Sequence, residues 1–212
     1  VLTSASSDYV FEDIDQRPVA SLLQDFSAPV RLEFAVSDDE LAFRIAHEHD
    51  DFNRFDAAQK LGERILLVAY RQGELDASPS LQVLLDALAK LLADPQVDPA
   101  LLAECLEPPD EISLGERIDA RDPTRLHAIR EALRAAIGRH LAAELIARRT
   151  ALEDAAHGGY AAPAVAARRF RQRALHLLIA ADAKVYALHA QQQYAEATSM
   201  GERLSALAAL MH

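Results

Sequence analysis

The sequence is poor in the residues that staple or mark special folds: in 212 residues it has one cysteine (Cys105), no tryptophan, two methionines and seven glycines. A single cysteine excludes an internal disulfide framework and a cysteine-based zinc cluster. It fits a reducing compartment, so a cytoplasmic location is the expectation. No run approaches eighteen consecutive apolar residues, and Val1 to Asp8 lack the basic-then-apolar plan of an export signal, so neither a membrane span nor secretion has support. The one Gly-Gly pair, Gly158-Gly159, has no preceding strand pattern and no following lysine, which excludes a phosphate-cradling loop. The chain begins with Val1 rather than methionine, and a cut end is expected there.

Positive charge is also scarce. Twenty-two bases face 33 acids, a formal charge of −11, which speaks against a general nucleic-acid binder, because neutralising phosphates needs a basic surface. The charge is unevenly spread: residues 1–116 carry a net −16 and residues 117–212 a net +5. Two readings follow, attraction between the halves with ordinary solvated faces, or a directional field across a ligand cleft.

What is present is hydrophobic residue, half of the chain, enough for a core without disulfide or metal. Val30, Leu32, Phe34 and Val36 alternate with Arg31, Glu33 and Ala35, the period of a strand with one buried face, and Tyr9 and Phe11 hint at an earlier strand. Two or three strands in 36 residues are too few for an independent sandwich. From Ser37 the period becomes 3.6. Ser37-Asp38-Asp39-Glu40 reads as a capping box, Phe55, Ala58, Leu61, Ile65 and Val68 form a helical stripe, and Gly73 is placed to close it. Ser78-Pro79, Asp98-Pro99 and Asp122-Pro123 each read as a helix start, the last opening one long helix toward His157. Further helices are expected from about Pro163 to Gln193 and from Ser199 to the end, where Leu204, Leu207, Leu210 and Met211 form a stripe whose partner is expected outside the chain. About a fifth of the residues are alanine, which permits close helix approach. The fold class is therefore mainly α: an antiparallel helical array, an irregular solenoid or bundle over residues 37–212, preceded by strands of a truncated β-sandwich in residues 1–36.

No active site assembles from the spacing. In His47-Glu48-His49-Asp50-Asp51 the histidines are two apart, roughly 200° round a helix, whereas a helical zinc-protease site needs them four apart on one face. His47 and Asp51 could share a face, but a solvated or capping role suits this polar helix end better. His127, His140, His157, His176, His189 and His212 are scattered, and Cys105 among Leu101, Leu102 and Leu106 reads as a small buried hydrophobe. Arg168, Arg169, Arg171 and Arg173 could bind a carboxylate or phosphate, or spread round a helix into inter-helix ion pairs. Catalytic and metal-binding residues are thus assigned to no position, and substrate-binding residues stay unassigned.

One segment carries more than pattern. Residues 18–34, Pro-Val-Ala-Ser-Leu-Leu-Gln-Asp-Phe-Ser-Ala-Pro-Val-Arg-Leu-Glu-Phe, strongly resemble the bacterial aminopeptidase N branch of the M1 zinc metallopeptidases. The likeness continues through Asp51-Phe52-Asn53-Arg54-Phe55-Asp56-Ala57-Ala58-Gln59, Val97-Asp98-Pro99-Ala100-Leu101, Ile129-Arg130-Glu131-Ala132-Leu133 after Asp122-Pro123, and Ala197-Thr198-Ser199-Met200-Gly201-Glu202-Arg203. Phe55 stands where the family has tryptophan, Glu107-Pro108-Pro109-Asp110 replaces a Leu-Pro-Ser-type turn, and Ser199 replaces a common asparagine. The resemblance implies a parent enzyme that removes N-terminal amino acids from peptides with a free N-terminus, using zinc held by an HExxH motif and a Gly-x-Met-Glu-Asn motif for the amine. Neither motif occurs here, so the resemblance implies a segment that is inactive alone, holds no zinc, and caps the cavity of catalytic and sandwich domains packed against it intramolecularly. No nucleic-acid or membrane partner is implied. The other reading is a free-standing helical interaction module without peptidase activity.

Overall fold

The computed structural model describes residues 6, 8–30, 32–119, 121–157 and 159–211. Val1, Arg31, Gly158 and His212, named above, lie outside them. Among the described residues there are eleven α-helices: α1 (Asp38–His47), α2 (Asp51–Gln72), α3 (Leu81–Ala93), α4 (Pro99–Cys105), α5 (Glu111–Gly115), α6 (Pro123–His140), α7 (Ala142–Ala151), α8 (Glu153–Ala156), α9 (Ala162–Ala181), α10 (Ala183–Glu196) and α11 (Met200–Leu210).

The helix starts follow side-chain chemistry. Ser37 accepts from the Glu40 amide while the Glu40 carboxylate accepts from the Ser37 amide, closing the capping box of α1. Asp50, Asp98, Asp110, Asp122, Asp182 and Ser199 cap α2, α4, α5, α6, α10 and α11, each side chain accepting from first-turn amides. Gly73 ends α2 at φ 98°, a left-handed conformation that a residue with a Cβ adopts only with strain.

Three helix expectations need correction, and the strands stay unconfirmed. The strands over residues 1–36 are not formed among the described residues: the only regular element before α1 is a single 3-10 turn, Gln24–Phe26. The alternating Val30, Leu32 and Phe34 have no partner ladder to bury them and stay 59, 46 and 48% exposed. The long helix after Asp122 is three helices, bent at Leu141 (φ −105°, ψ 15°) and Leu152 (φ −97°, ψ 8°). Neither bend carries a side-chain cap; Leu141 and Leu145 are both fully buried, so packing turns the chain there. The helix running from Pro163 to Gln193 breaks at Asp182, whose carboxylate accepts from the amides of Lys184 and Val185 and starts α10 afresh. Ser78, read as a helix opener, instead closes a 3-10 turn at Leu75–Ala77, and α3 begins three residues later.

One continuous core joins α1 to α4, α6, α7 and α9 through fully buried Leu41, Ile45, Leu61, Ile65, Leu133 and Phe170. A smaller cluster, Leu175, Ile179, Ala190 and Ala209, ties α9 to α10 and α11. α9 is the central strut, packed on α4, α6, α7, α8, α10 and α11. Its approach to α6 depends on Gly138: a Cβ there would overlap the Leu177 carbonyl and sit 3.0 Å from the Ala181 methyl.

The segment before α1 is fastened at the corner between α1 and α2. The Asn53 side-chain amide donates to the Ser21 hydroxyl (3.2 Å) and the Leu22 carbonyl (3.0 Å), and the Asp25 amide donates to the Asp50 carboxylate (2.9 Å). Leu23 (φ 56°) and Asp25 (φ 54°) take left-handed conformations to make this turn, a strained choice for side chains with a Cβ.

Candidate functional site

The His47 to Asp51 string sits at that corner, and its members point to different tasks. His47 ends α1 with its ring 4.7 Å from the Phe43 ring, and His49 is exposed in the link. Glu48, which a metalloprotease would use as a base, is turned inward: it is buried beside Arg44 (3.7 Å) and accepts from the His49 (2.9 Å) and Asp50 (3.2 Å) amides. Burial alone would raise its pKa, but the hydrogen bonds from the Ser21 hydroxyl and those amides outweigh it and hold the carboxyl below the usual range. The Asp50 carboxyl is held low by the Asp25 amide and then by Asn53. This is capping chemistry.

The remaining histidines stay apart. His127 pairs with Glu111 (2.8 Å), His140 lies 3.6 Å from Asp86, His176 reaches the Ser205 carbonyl (3.3 Å), His189 lies beside Tyr186, and His157 follows α8. Among the described residues no group of three or more His, Cys, Asp or Glu side chains could hold a metal ion. The donor set among the described residues does not fit zinc. Cys105 is buried, and that burial pushes its thiol up to about 12, the property of an inert core thiol.

The four arginines of α9 diverge and are all engaged. Arg168 donates to the Ala156 (2.6 Å) and Gly159 (2.7 Å) carbonyls, closing the end of α8. Arg169 pairs with Glu104 (3.2 Å), and Arg171 donates to the Arg149 carbonyl (2.7 Å) and faces Glu153 (3.5 Å). Arg173 donates to the Ala103 carbonyl (3.2 Å) and pairs with Glu107. Burial, reinforced by the neighbouring Arg171, pulls the Arg149 guanidinium down to about 10. The cleft beside them, lined by Val165, Arg168, Arg171, Gln193, Glu202 and Ser205, holds about 190 Å³, below the usual range for ligand pockets. The inter-helix reading of the cluster is the one the geometry supports.

Glu107, legible in the sequence only as part of a turn, is the hub of an ion-pair network. Arg130 from α6, Arg134 (3.1 Å) from the next turn of α6, and Arg173 from α9 converge on its carboxylate, while Glu131 pairs with Arg134 at 2.5 Å. Gln59 of α2 donates to the Glu107 carbonyl (3.0 Å), so three helices meet at one residue of the link between α4 and α5. The acid-rich first half is thereby joined to the base-rich second half, as it also is by Arg117–Glu63 (2.8 Å). A second feature, legible in the sequence only as a member of the family-like Arg54-Phe55-Asp56 string, is Arg54, buried and without an ion pair among the described residues.

A groove of about 860 Å³ lies between the segment before α1 and α2. Leu22, Val30, Phe34 and Phe52 supply apolar lining, and the charged lining mixes signs, Arg44, Lys60, Arg64 and Arg117 with Asp56 and Glu63. Its size is that of a ligand or polypeptide site.

Residues 38–212 match the model of a domain of unknown function (DUF3458_C) described as ARM repeats, and residues 1–35 match a companion domain (DUF3458) described as having an Ig-like fold. The chain belongs to the DUF3458_C family. The chain is similar to named aminopeptidases: it is 34% identical over 209 residues to aminopeptidase N of Escherichia coli (strain K12), covering 98% of this chain and 24% of that enzyme. Aminopeptidase N of Caulobacter vibrioides is 32% identical, over 80% of this chain and 19% of its own length. The DUF3458_C chain therefore spans a quarter or less of these relatives. In solved structures its fold is matched by Legionella pneumophila aminopeptidase A, crystallised with aspartic acid, at a TM-score of 0.78 and 23% identity over 95% of this chain and 24% of that one.

Proposed function

We propose that residues 37–212 are the non-catalytic helical domain of a cytoplasmic, zinc-dependent M1 aminopeptidase, and that residues 1–36 belong to its β-sandwich domain. The observation that carries this reading is the 34% identity to aminopeptidase N along 98% of the chain, including the segment fastened at the α1–α2 corner. The proposed role is mechanical: a lid over the cavity in which the parent removes N-terminal residues from peptides. A wall of this kind needs a surface that holds its shape without contributing chemistry. Two features suit it, the single core built round α9 and the full engagement of the α9 arginines in protein contacts. Zinc and the amine-binding groups belong to the parent's other domains in this reading.

The test is an assay of the purified chain with an alanyl chromogenic substrate, with and without zinc. No turnover is expected, and zinc-dependent turnover would sink the proposal. A lid also predicts that a parent enzyme deprived of this domain loses discrimination between peptides of different length while cleaving a dipeptide substrate. Unchanged length preference would leave only the reading of a free-standing interaction module.

A further inference from the structure

Three arginine side chains are buried among the described residues: Arg44, Arg54 and Arg171. Arg44 donates to the Asn53 carbonyl and lies beside Glu48, and Arg171 donates to the Arg149 carbonyl and faces Glu153. Arg54 has neither. It is 8% exposed, its Nε is sealed from solvent with no hydrogen-bond partner, and no ion pair involves it among the described residues. The less buried Arg130, Arg134, Arg148, Arg149, Arg168 and Arg173 all reach a carbonyl, carboxamide or carboxylate. A guanidinium always carries its charge, so it cannot escape the cost of burial by losing a proton, and an unpaired one is the exception that asks for a partner.

We propose that Arg54 is a carboxylate-binding position, its planar fork taking the two oxygens of a carboxylate that reaches it from outside the described residues. The fork matches a carboxylate in two parallel hydrogen bonds. Arg54 also stands in the first turns of α2, whose positive end adds to the attraction for an anion. A monoanion fits better than phosphate, because Asp51 and Glu104 already bear on this neighbourhood: both raise the Cys105 thiol that Arg54 lowers. Neither of these acids pairs with Arg54. The same group can come from a small organic acid or from an acidic side chain of another part of the longer enzyme proposed above. Only the second source rests on that proposal.

The probe is sodium acetate, titrated against sodium chloride at equal ionic strength, with the Arg54 Nε–Hε resonance as readout. Arg54→Lys keeps the charge, removes the fork and assigns the resonance by its loss; through-bond assignment in the unaltered chain serves if that variant fails to fold. A saturable acetate shift absent with chloride is expected. If the shift persists in the full-length enzyme, the site takes a free organic acid. If there the resonance is already displaced and no longer responds, the protein supplies the carboxylate. A resonance in this chain that moves no more with acetate than with chloride overturns the proposal, including the case in which Asp51 or Glu104 swings in to pair with Arg54.

Discussion

Replacing Glu107 by glutamine keeps the shape of the side chain and removes the one charge on which Arg130, Arg134 and Arg173 converge. The four side chains are 13, 15, 24 and 23% exposed, so water screens them only in part. At an effective dielectric near 20, each guanidinium at this range attracts the carboxylate by about 4 kcal/mol, and the guanidinium groups repel one another by a similar order. Desolvation offsets much of the attraction while the set is complete. Removing one partner leaves that penalty in place, which is why breaking a buried pair costs about 3–5 kcal/mol. Glu131 still faces Arg134 (2.5 Å) and Arg130 (3.7 Å), which places the loss near the lower end, about 3 kcal/mol. For a chain of this length that is a fall in Tm of roughly 6–12 °C. Urea unfolding followed by circular dichroism should show the midpoint fall with an unchanged slope. The double variant with Arg173→Met should lose less than the sum of the two singles, since the pair shares one interaction. A loss under about 0.5 kcal/mol, the scale of an exposed pair, would refute the claim that the Glu107 carboxylate holds α6 and α9 to the link after α4.

Gly138→Ala should destabilise by about 1–3 kcal/mol despite alanine's better helix propensity, because its methyl would overlap the Leu177 carbonyl and force α6 from α9; a stabilised variant in thermal melts would contradict this contact. Cys105, pushed up to about 12 by burial, should resist a thiol reagent at pH 8 in the folded chain and react fully in urea, so rapid native labelling would show that its pocket opens. The carboxyl groups of Asp50, lowered by the Asp25 and Asn53 amides, and Asp110, lowered by the Ser113 hydroxyl and amide, contribute stability that is present above their unfolded pKa of about 4 and lost as pH falls through their folded values. Asp50→Asn should therefore flatten the decline in stability below about pH 4, and an unchanged acid titration would refute the role of Asp50.

The helix starts were legible because a cap is local: Ser37 with Glu40, Asp98 before Pro99 and Asp122 before Pro123 each settle their own amides within three residues. The bends at Leu141 and Leu152 carry no such mark. They are decided by what Leu141 and Leu145 bury against, information held by residues distant in the chain. The helical period of the last segment was readable, and its leucine stripe, whose partner was expected outside the chain, finds none among the described residues. Ser205, Ala206 and Ala209 face inward, whereas Leu204, Leu207 and Leu210 are 57, 44 and 37% exposed. Close packing of α11 on α10 selects the small residues, and apolar character alone does not choose between faces. Glu107 was invisible for a related reason: beside two prolines it reads as turn chemistry, and its three arginines arrive from α6 and α9.

The uneven charge along the chain had two readings, and the contacts favour the internal one. Arg117–Glu63, Arg169–Glu104 and the arginines on Glu107 all run from the basic second half to the acidic first half. Charge paired inside the fold cannot also steer a ligand, because each guanidinium is already neutralised within ion-pair distance and the residual field falls off within about 8–10 Å of salt solution. The basic half therefore works as a fastener. This separates Arg54 from every other buried arginine: a side chain whose charge is spent on the fold resists replacement through stability alone, whereas one left unpaired should lose little stability and show its effect only when a carboxylate is supplied.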